Sequence, residues 1–443
     1  MHKSRMVSVL VALCSGIVSM PAFALDLSLS DAVSRITAES HDLKKADANV
    51  KKAEASLDAV NANRWFKLDG SASYMNMVNV KNPSESQKIE LPPELGGLIS
   101  ESLKDQSLSF TIPDNIFQAG LTLTQPIYTF GKIGNAVKSV KSAVKMADAS
   151  REMTARSVRY AAAELYWTAK MTDEIVELAK NDLNNARSAR KKLTSAGRAN
   201  RSNLLKIESD IATKEINLSD AEFNRDTAHR MLKIMAGINI DEELKLTDEM
   251  PSTFGDLNAG ELKTTPQWQI LDEQVKMYER SARSQRANGN PTLAATASYT
   301  YSTMSDDIGH MFDKSGSQSA YWGLALQVPI FTGGVNRANA TVDAMNAEAA
   351  REDLAQAKKM TTEQYNNAVR QYDRLRGNLA TLTTARDLAA KTYELSQNRF
   401  ASGQTSAVEL ADVSAGLYQL DMALLNTKFN ILMSEQAVKK LGE

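Results

Sequence analysis

The sequence predicts a mainly α-helical protein with a small β part, built as one unit written twice in tandem. Three observations predict it. Landmarks recur in order: Leu121, Leu123, Pro126, Ile127, Thr129 and Gly131 return as Leu324, Leu326, Pro329, Ile330, Thr332 and Gly334. Likewise Ala72-Ser73-Tyr74 returns as Ala297-Ser298-Tyr299, and Ser195-Ala-Gly197 as Ala401-Ser-Gly403. Each copy then carries two short strand-like segments. Each also carries a very long uninterrupted heptad pattern, so the repeat of about 200 residues is far larger than the 20–50 of solenoids.

The first 24 residues read as a secretory signal. His2, Lys3 and Arg5 form a charged start, Met6 to Val18 an apolar core, and Pro21-Ala22-Phe23-Ala24 a cleavage site. A short membrane anchor is the alternative, but the apolar run falls short of the roughly 20 residues a span needs. Cys14, the only cysteine, lies in that core, so the mature chain is expected to hold no thiol or disulfide.

Apolar spacing predicts a helix over 30–64, a strand over 67–78, a long polar loop over 79–110 and a strand over 117–129. From Gly134 to Lys192 nothing breaks a helix. Val158, Ala162, Leu165, Ala169, Thr172, Val176, Ala179, Leu183 and Ala186 step by four and three, an a/d seam rich in small residues. At 1.5 Å per residue such a helix runs on the order of 90 Å. A helix over 202–236 follows, then an irregular connector, 237–264. The second copy predicts helices over 266–288, 334–398 and 405–441, with strands at 292–304 and from 317 to Phe331. Its long seam carries Tyr365, Ala368, Tyr372, Leu375, Leu379, Leu382, Ala389 and Tyr393. Arg386 interrupts it, with its stem along the seam and its charge expected in water.

The strands alternate imperfectly. Leu121, Leu123 and Gln125 share one face of the second strand; Trp322, Leu324, Leu326 and Val328 share one face of the fourth. Membrane strands have this length and an outward apolar stripe, with aromatics such as Tyr74, Tyr128, Tyr299, Tyr301 and Tyr321 at the interfaces. A small soluble sheet packed on helices fits the same pattern. If the strands are in lipid, open edges are not tolerated. Pooling by cyclic symmetry is then the remedy, three chains giving about twelve strands in one closed barrel. Pro126 and Pro329 stand where strand passes to helix, as proline's missing donor requires. Gly131 and Gly334 supply the turn.

Composition excludes other classes. The 52 basic and 53 acidic residues show no basic stripe, so no nucleic-acid partner is expected. His41, His229 and His310 lack metal-ligand spacing, and no phosphate loop, dinucleotide fingerprint or nucleophile elbow occurs. Neither enzyme activity, cofactor nor metal is expected.

The duplicated strand–loop–strand–long-helix plan resembles the TolC family of outer-membrane efflux and secretion channels. It shares that family's Pro-Ile-aromatic-x-x-Gly signature at Pro126–Gly131 and Pro329–Gly334. Arg399 to Leu410 is similar to the family's aromatic-x-x-Gly segment. The resemblance implies a homotrimer with a 12-stranded barrel in outer-membrane lipid and a long α-helical coiled-coil tunnel in the periplasm. It implies docking at the helix tips to a periplasmic adaptor and an inner-membrane transporter of an efflux pump or type I secretion system. By position, Glu409 and Asp412 fall on the family's acidic constriction and Phe400 on its aromatic gate residue. The turns at Gly197 and Gly403, with Arg198 and Arg201, fall at the tip. The sequence departs from the family at Thr405, where an arginine latch is expected, and at Asn203, where its acidic partner is expected. Arg198, Arg201 or Lys206 pairing with Glu409 or Asp412 is the substitute latch expected.

Glu409 and Asp412, three apart, share a helix face, and two solvated helix acids remain the plain alternative. A periplasmic coiled-coil scaffold or adaptor without a pore is the competing class. It accounts for the heptads and the signal but not for two strand pairs flanking matched prolines. The expected organisation is a signal at 1–24, a first repeat at 25–236, the connector at 237–264 and a second repeat at 265–443.

Overall fold

The computed structural model describes residues 25–77, 114–195, 200–257, 260–313 and 316–442. The predicted signal, the whole 79–110 loop, and Gly197 with Arg198 lie outside them. In chain order the elements are β1 (Leu25–Leu27), α1 (Leu29–Glu39), α2 (His41–Ala62), β2 (Lys67–Asn76), β3 (Asn115–Tyr128), α3 (Lys132–Ser195), α4 (Arg201–Met235), β4 (Leu244–Leu246), α5 (Pro266–Ala287), β5 (Thr292–Ser305), β6 (Ser317–Gln327), α6 (Val335–Ala401) and α7 (Ala407–Gly442).

One unit gathers residues up to 48, 149–269 and 355–443. Its α3 seam lies as the spacing requires: Ala162, Ala169, Thr172, Val176, Ala179, Leu183 and Ala186 are buried. Alanines and one valine let neighbouring helices approach closely. In α6, Tyr365, Tyr372, Leu379 and Tyr393 are buried. Two of these tyrosines also fasten the connector: the Tyr365 hydroxyl donates to the Gly260 carbonyl at 3.1 Å and the Tyr372 hydroxyl to the Gly255 carbonyl at 3.0 Å. Near the helix ends Leu183, Leu193, Ile207, Ile211, Phe400 and Leu410 form a core shared by α3, α4, α6 and α7.

Four expectations need correcting here. The predicted 30–64 helix breaks at Ser40, which leaves the α region and accepts a hydrogen bond from the Leu43 amide at 3.3 Å; a serine capping a new helix outcompetes continuation. The connector holds a strand: β4 pairs in parallel with β1, and three residues are too few to show a period. Arg386 is not simply solvated, because its Nε donates to Asp421 of α7 at 2.7 Å. In the other unit the fourth strand stops at Gln327 rather than Phe331.

Beside β1 and β4, Tyr166 is fully buried. Its hydroxyl donates to Asp248 Oδ2 at 2.7 Å and lies 3.2 Å from the Leu27 carbonyl. It accepts from the Asp248 amide at 3.1 Å. Burial pushes this phenol up to about 12.

The other unit gathers 49–148 and 270–354 and contains the four-stranded sheet, ordered β2-β3-β5-β6. Every pairing is antiparallel. Its register is the fact that positions the candidate site.

Candidate functional site

Directly opposed residues of antiparallel strands share a face. Leu68 opposes Leu123, Leu123 opposes Ala297, and Ala297 opposes Trp322. Extending by twos, one face carries Leu68 and Tyr74, Phe117 and Leu121, Leu293 and Tyr299, Leu324 and Leu326. The opposite face carries Ser71 and Ser73, Thr122 and Thr124, Thr296, Ser298, Thr300 and Ser302, Ser317 and Ser319. Thr122 and Ser298 face each other across strands, their hydroxyls 3.4 Å apart. Each strand alone looks irregular; the register sorts them into one apolar and one hydroxyl-rich face.

Among the described residues Phe312 packs edge-on against Phe117 at one end of the apolar face, and the other end lies bare. Trp322 is 86% exposed, Leu324 69% and Leu326 63%. A bare patch of this kind on a water-solvated protein marks an interaction surface. Among the described residues the outer strands β2 and β6 each leave one edge unpaired, the feature most in need of a partner chain. Among the described residues no helix is long and apolar enough to cross a membrane.

The strand-to-helix junctions are alike in backbone. Gly131 has φ +90° and Gly334 φ +78°, each preceded by another left-handed residue: Phe130 at +47° and Gly333 at +61°. Phe130 is held there without glycine's freedom. Its ring packs edge-on against Tyr128 at 4.5 Å, and its carbonyl accepts from Asn290 at 3.2 Å. The prolines are not equivalent. Pro329 lies beyond the end of β6, whereas Pro126 lies inside β3, opposite Ala294, where the register shifts before Tyr128. Pairing with β2 stops at Thr124, so the missing donor falls where that ladder has already ended.

At the helix tips α6 closes on Gly403, φ +80°. The Gly403 amide donates to the Phe400 carbonyl at 3.0 Å and the Gln404 amide to the Arg399 carbonyl at 2.8 Å, a Schellman ending. Ser406 then caps α7, its Oγ accepting from the Glu409 amide at 3.2 Å. Ser406-Ala-Val-Glu409 is a capping-box sequence, and the Thr405 hydroxyl donates to the Glu409 carboxylate. Glu409 and Asp412 are both exposed. Among the described residues neither Arg201 nor Lys206 forms an ion pair with them; Arg198, the third expected partner, lies outside those residues. Asn203 lies in the first turn of α4, half-buried. Phe400 is buried in the core at the helix ends, packed inside the protomer.

Sequence reading missed a polar cluster on three of the same four helices. Lys214 of α4, its side chain only 7% exposed, meets Asp182 of α3 at 2.5 Å. Ser414 of α7 donates to the other oxygen of Asp182 at 2.9 Å. Asp210 lies 3.9 Å from Lys214; burial raises its carboxyl above the usual range, against the pull of Lys214. Lys214 stands in step with the buried residues Ile207, Ile211 and Ala221, and that spacing was the available signal. Among the described residues no group of His, Cys, Asp and Glu could hold a metal ion.

Residues 32–237 and 264–442 match the family of outer membrane efflux proteins. Solved structures of similar fold include CusC, with TM-score 0.76 and 16% identity over 95% of this chain and 93% of that one. MtrE of Neisseria gonorrhoeae, in its open state, has TM-score 0.75 and 18% identity over 93% of this chain and 88% of its own. VceC of Vibrio cholerae has TM-score 0.74 and 17% identity over 94% and 96%. No curated protein is similar in sequence at a significant level.

Proposed function

Because this chain belongs to the outer membrane efflux protein family, a family of channels in the outer membrane with a large periplasmic part, we propose that it is the passive exit duct of a tripartite efflux pump or type I secretion system. The observation that carries the reading is the sheet: one bare apolar face, one hydroxyl face, and two open edges. In hydrocarbon the apolar face costs nothing, but an unpaired backbone group costs several kcal/mol, so the edges must close. Closure with two further copies gives a homotrimer and a 12-stranded barrel, lipid outside and hydroxyls lining the bore. A pore-less periplasmic scaffold leaves that face bare in water.

The helices continue the bore into the periplasm, and the tips form its gate. Glu409 and Asp412, one of each per protomer, form two stacked rings of three carboxylates, a trap for cations. Phe400 anchors the packing behind the rings rather than lining the bore. The Thr405–Glu409 contact takes the place of the family's arginine latch. An adaptor that docks at the turns containing Gly197, Arg198, Arg201 and Gly403 opens the tip by binding the open state more tightly than the closed one. The inner-membrane transporter supplies the energy. The two repeats, 25–236 and 265–443, each contribute one strand pair and one helix pair, joined by the connector 237–264.

Single-channel current from purified protein in a planar bilayer tests this. Small discrete steps that divalent cations reduce are expected. The Glu409→Ala/Asp412→Ala variant should conduct more and lose cation block. Folded, inserted protein that stays silent both as wild type and as this variant would overturn the duct reading.

A further inference from the structure

Two cross-helix ion pairs stand at one level of the helical unit with opposite polarity. In the first repeat the acid is on the outgoing helix and the base on the return: Asp182 on α3, Lys214 on α4. In the second the base is outgoing and the acid returns: Arg386 on α6, Asp421 on α7, 2.7 Å apart. Asp182 and Lys214 each stand 13 residues from the tip-side ends of their helices, and Arg386 and Asp421 stand 15 and 14 from theirs. At 1.5 Å per residue all four lie about 20 Å above the tips. The Asp182 carboxylate also joins the two hairpins, since one oxygen takes Lys214 and the other takes Ser414 of α7. Nearer the tip, the core that α3, α4, α6 and α7 share is apolar, with Leu193, Ile207, Phe400 and Leu410, and a cross-helix ion pair that reaches below the belt, Arg187 of α3 with Glu215 of α4 at 2.8 Å, is exposed at both side chains.

We propose that this belt of ion pairs, buried at Asp182–Lys214 and half-exposed at Arg386–Asp421, is the pivot of tip opening: it fixes the helix register at its own level and confines movement to the segment beyond it. The proposal rests on the exit-duct reading above. An apolar seam has no directional contacts and tolerates sliding. A buried ion pair does not, because displacing one partner leaves the other charge desolvated and unpaired. A single polar residue in a coiled-coil seam sets register in the same way. Helices bound at the belt and packed below it through apolar contacts and one water-exposed ion pair, which is weak, bend or slide below it.

The test uses the intact mature trimer, which carries no competing thiol because Cys14, the chain's only cysteine, lies in the expected signal. A spin label at Gln404→Cys reports the tip; one at Glu222→Cys, on the far side of the belt along α4, reports the segment above. Inter-label distances are measured by double electron–electron resonance in the parent and in Asp182→Leu/Lys214→Met, which removes the charges without leaving one orphaned. The expected result is a broadened Gln404 distribution, an unchanged Glu222 distribution, and a closed-state dwell time in bilayers shortened at least about fivefold, the low end of typical coupling. The swap Asp182→Lys/Lys214→Asp should restore the narrow distribution. A parental Gln404 distribution in the Leu/Met variant overturns the pivot, as does equal broadening at both positions, which signifies general loosening. A parent trimer that never conducts, with the Glu409→Ala/Asp412→Ala variant silent too, strikes the duct reading instead, and the two distance distributions still decide the belt.

Discussion

Asp210 shows how a single carboxylate sets a pH dependence opposite to the common one. Burial raises its carboxyl, and the attraction of Lys214 does not fully offset that. The folded chain therefore holds this proton to higher pH than the unfolded chain. Stability rises with pH where the unfolded state binds more protons; here the folded state binds more, so the Asp210 contribution falls as pH climbs through the carboxylate range and stays low at neutrality. Asp210→Asn is expected to melt above the parent at pH 7, with the gap closing as pH falls through that range, as calorimetry would show. Glu409 and Asp412 separate on similar grounds. The Glu409 amide is capped by Ser406 and its carboxylate is held by Thr405, whereas Asp412 is exposed and outside that cap. Ser406→Ala should cost about 1 kcal/mol of stability, the usual value of an N-cap. Asp412→Asn should leave the melting temperature unchanged and weaken cation block. The acid pair was singled out through the family resemblance, and its spacing adds only that the two share a helix face. The cap was present in the sequence as Ser-x-x-Glu, hidden because attention to charge passed over the serine.

At the scale of elements, the long seams were legible because a heptad maintained over many turns has no other reading. The breaks were harder. Ser40 divides one predicted helix by a local side-chain bond, and β1 with β4 forms from two three-residue segments far apart in sequence. What holds that small pair is Tyr166, whose hydroxyl is shared by Asp248 and the Leu27 carbonyl. Tyr166→Phe leaves those buried groups without their partner and should cost about 1–3 kcal/mol, read as a lower denaturation midpoint with an unchanged slope. At the end of α6, Gly403 at φ +80° closes a Schellman motif that a side chain strains. Gly403→Ala should lose about 1–2 kcal/mol, the left-handed penalty for an L-residue. The same substitution at Gly377, inside α6 with open space around its Cα, should instead stabilise by up to about 1 kcal/mol. The opposite signs at two glycines of one helix separate backbone conformation from composition.

The assembled molecule has to cover what the protomer leaves bare. The sheet edges are one such feature; the outer face of α4 is another. Leu205, Ile216, Phe223 and Ile234 are each more than half exposed. Their steps of 11, 7 and 11 residues return to within about 20° of one line on a helix of 3.6 residues per turn. This is a second apolar stripe on a helix whose other face already packs through Ile207, Ile211 and Ala221, as expected of a helix with neighbours on both sides in a closed ring. Composition concealed it, because exposed apolar residues at eleven-residue spacing look scattered until the buried stripe is subtracted. Ile216→Glu/Phe223→Glu places a charge on that line at two successive heptad positions, where a neighbouring copy would have to desolvate both. The expected outcome is loss of the trimer in detergent by light scattering, with helical content by circular dichroism retained, because neither residue touches the protomer's own core. Truncation to alanine at the same positions should weaken the trimer without abolishing it, since only contact area is lost. A trimer that survives both glutamates would mean that the sheet edges alone hold the copies together, and the apolar line on α4 would then face the adaptor.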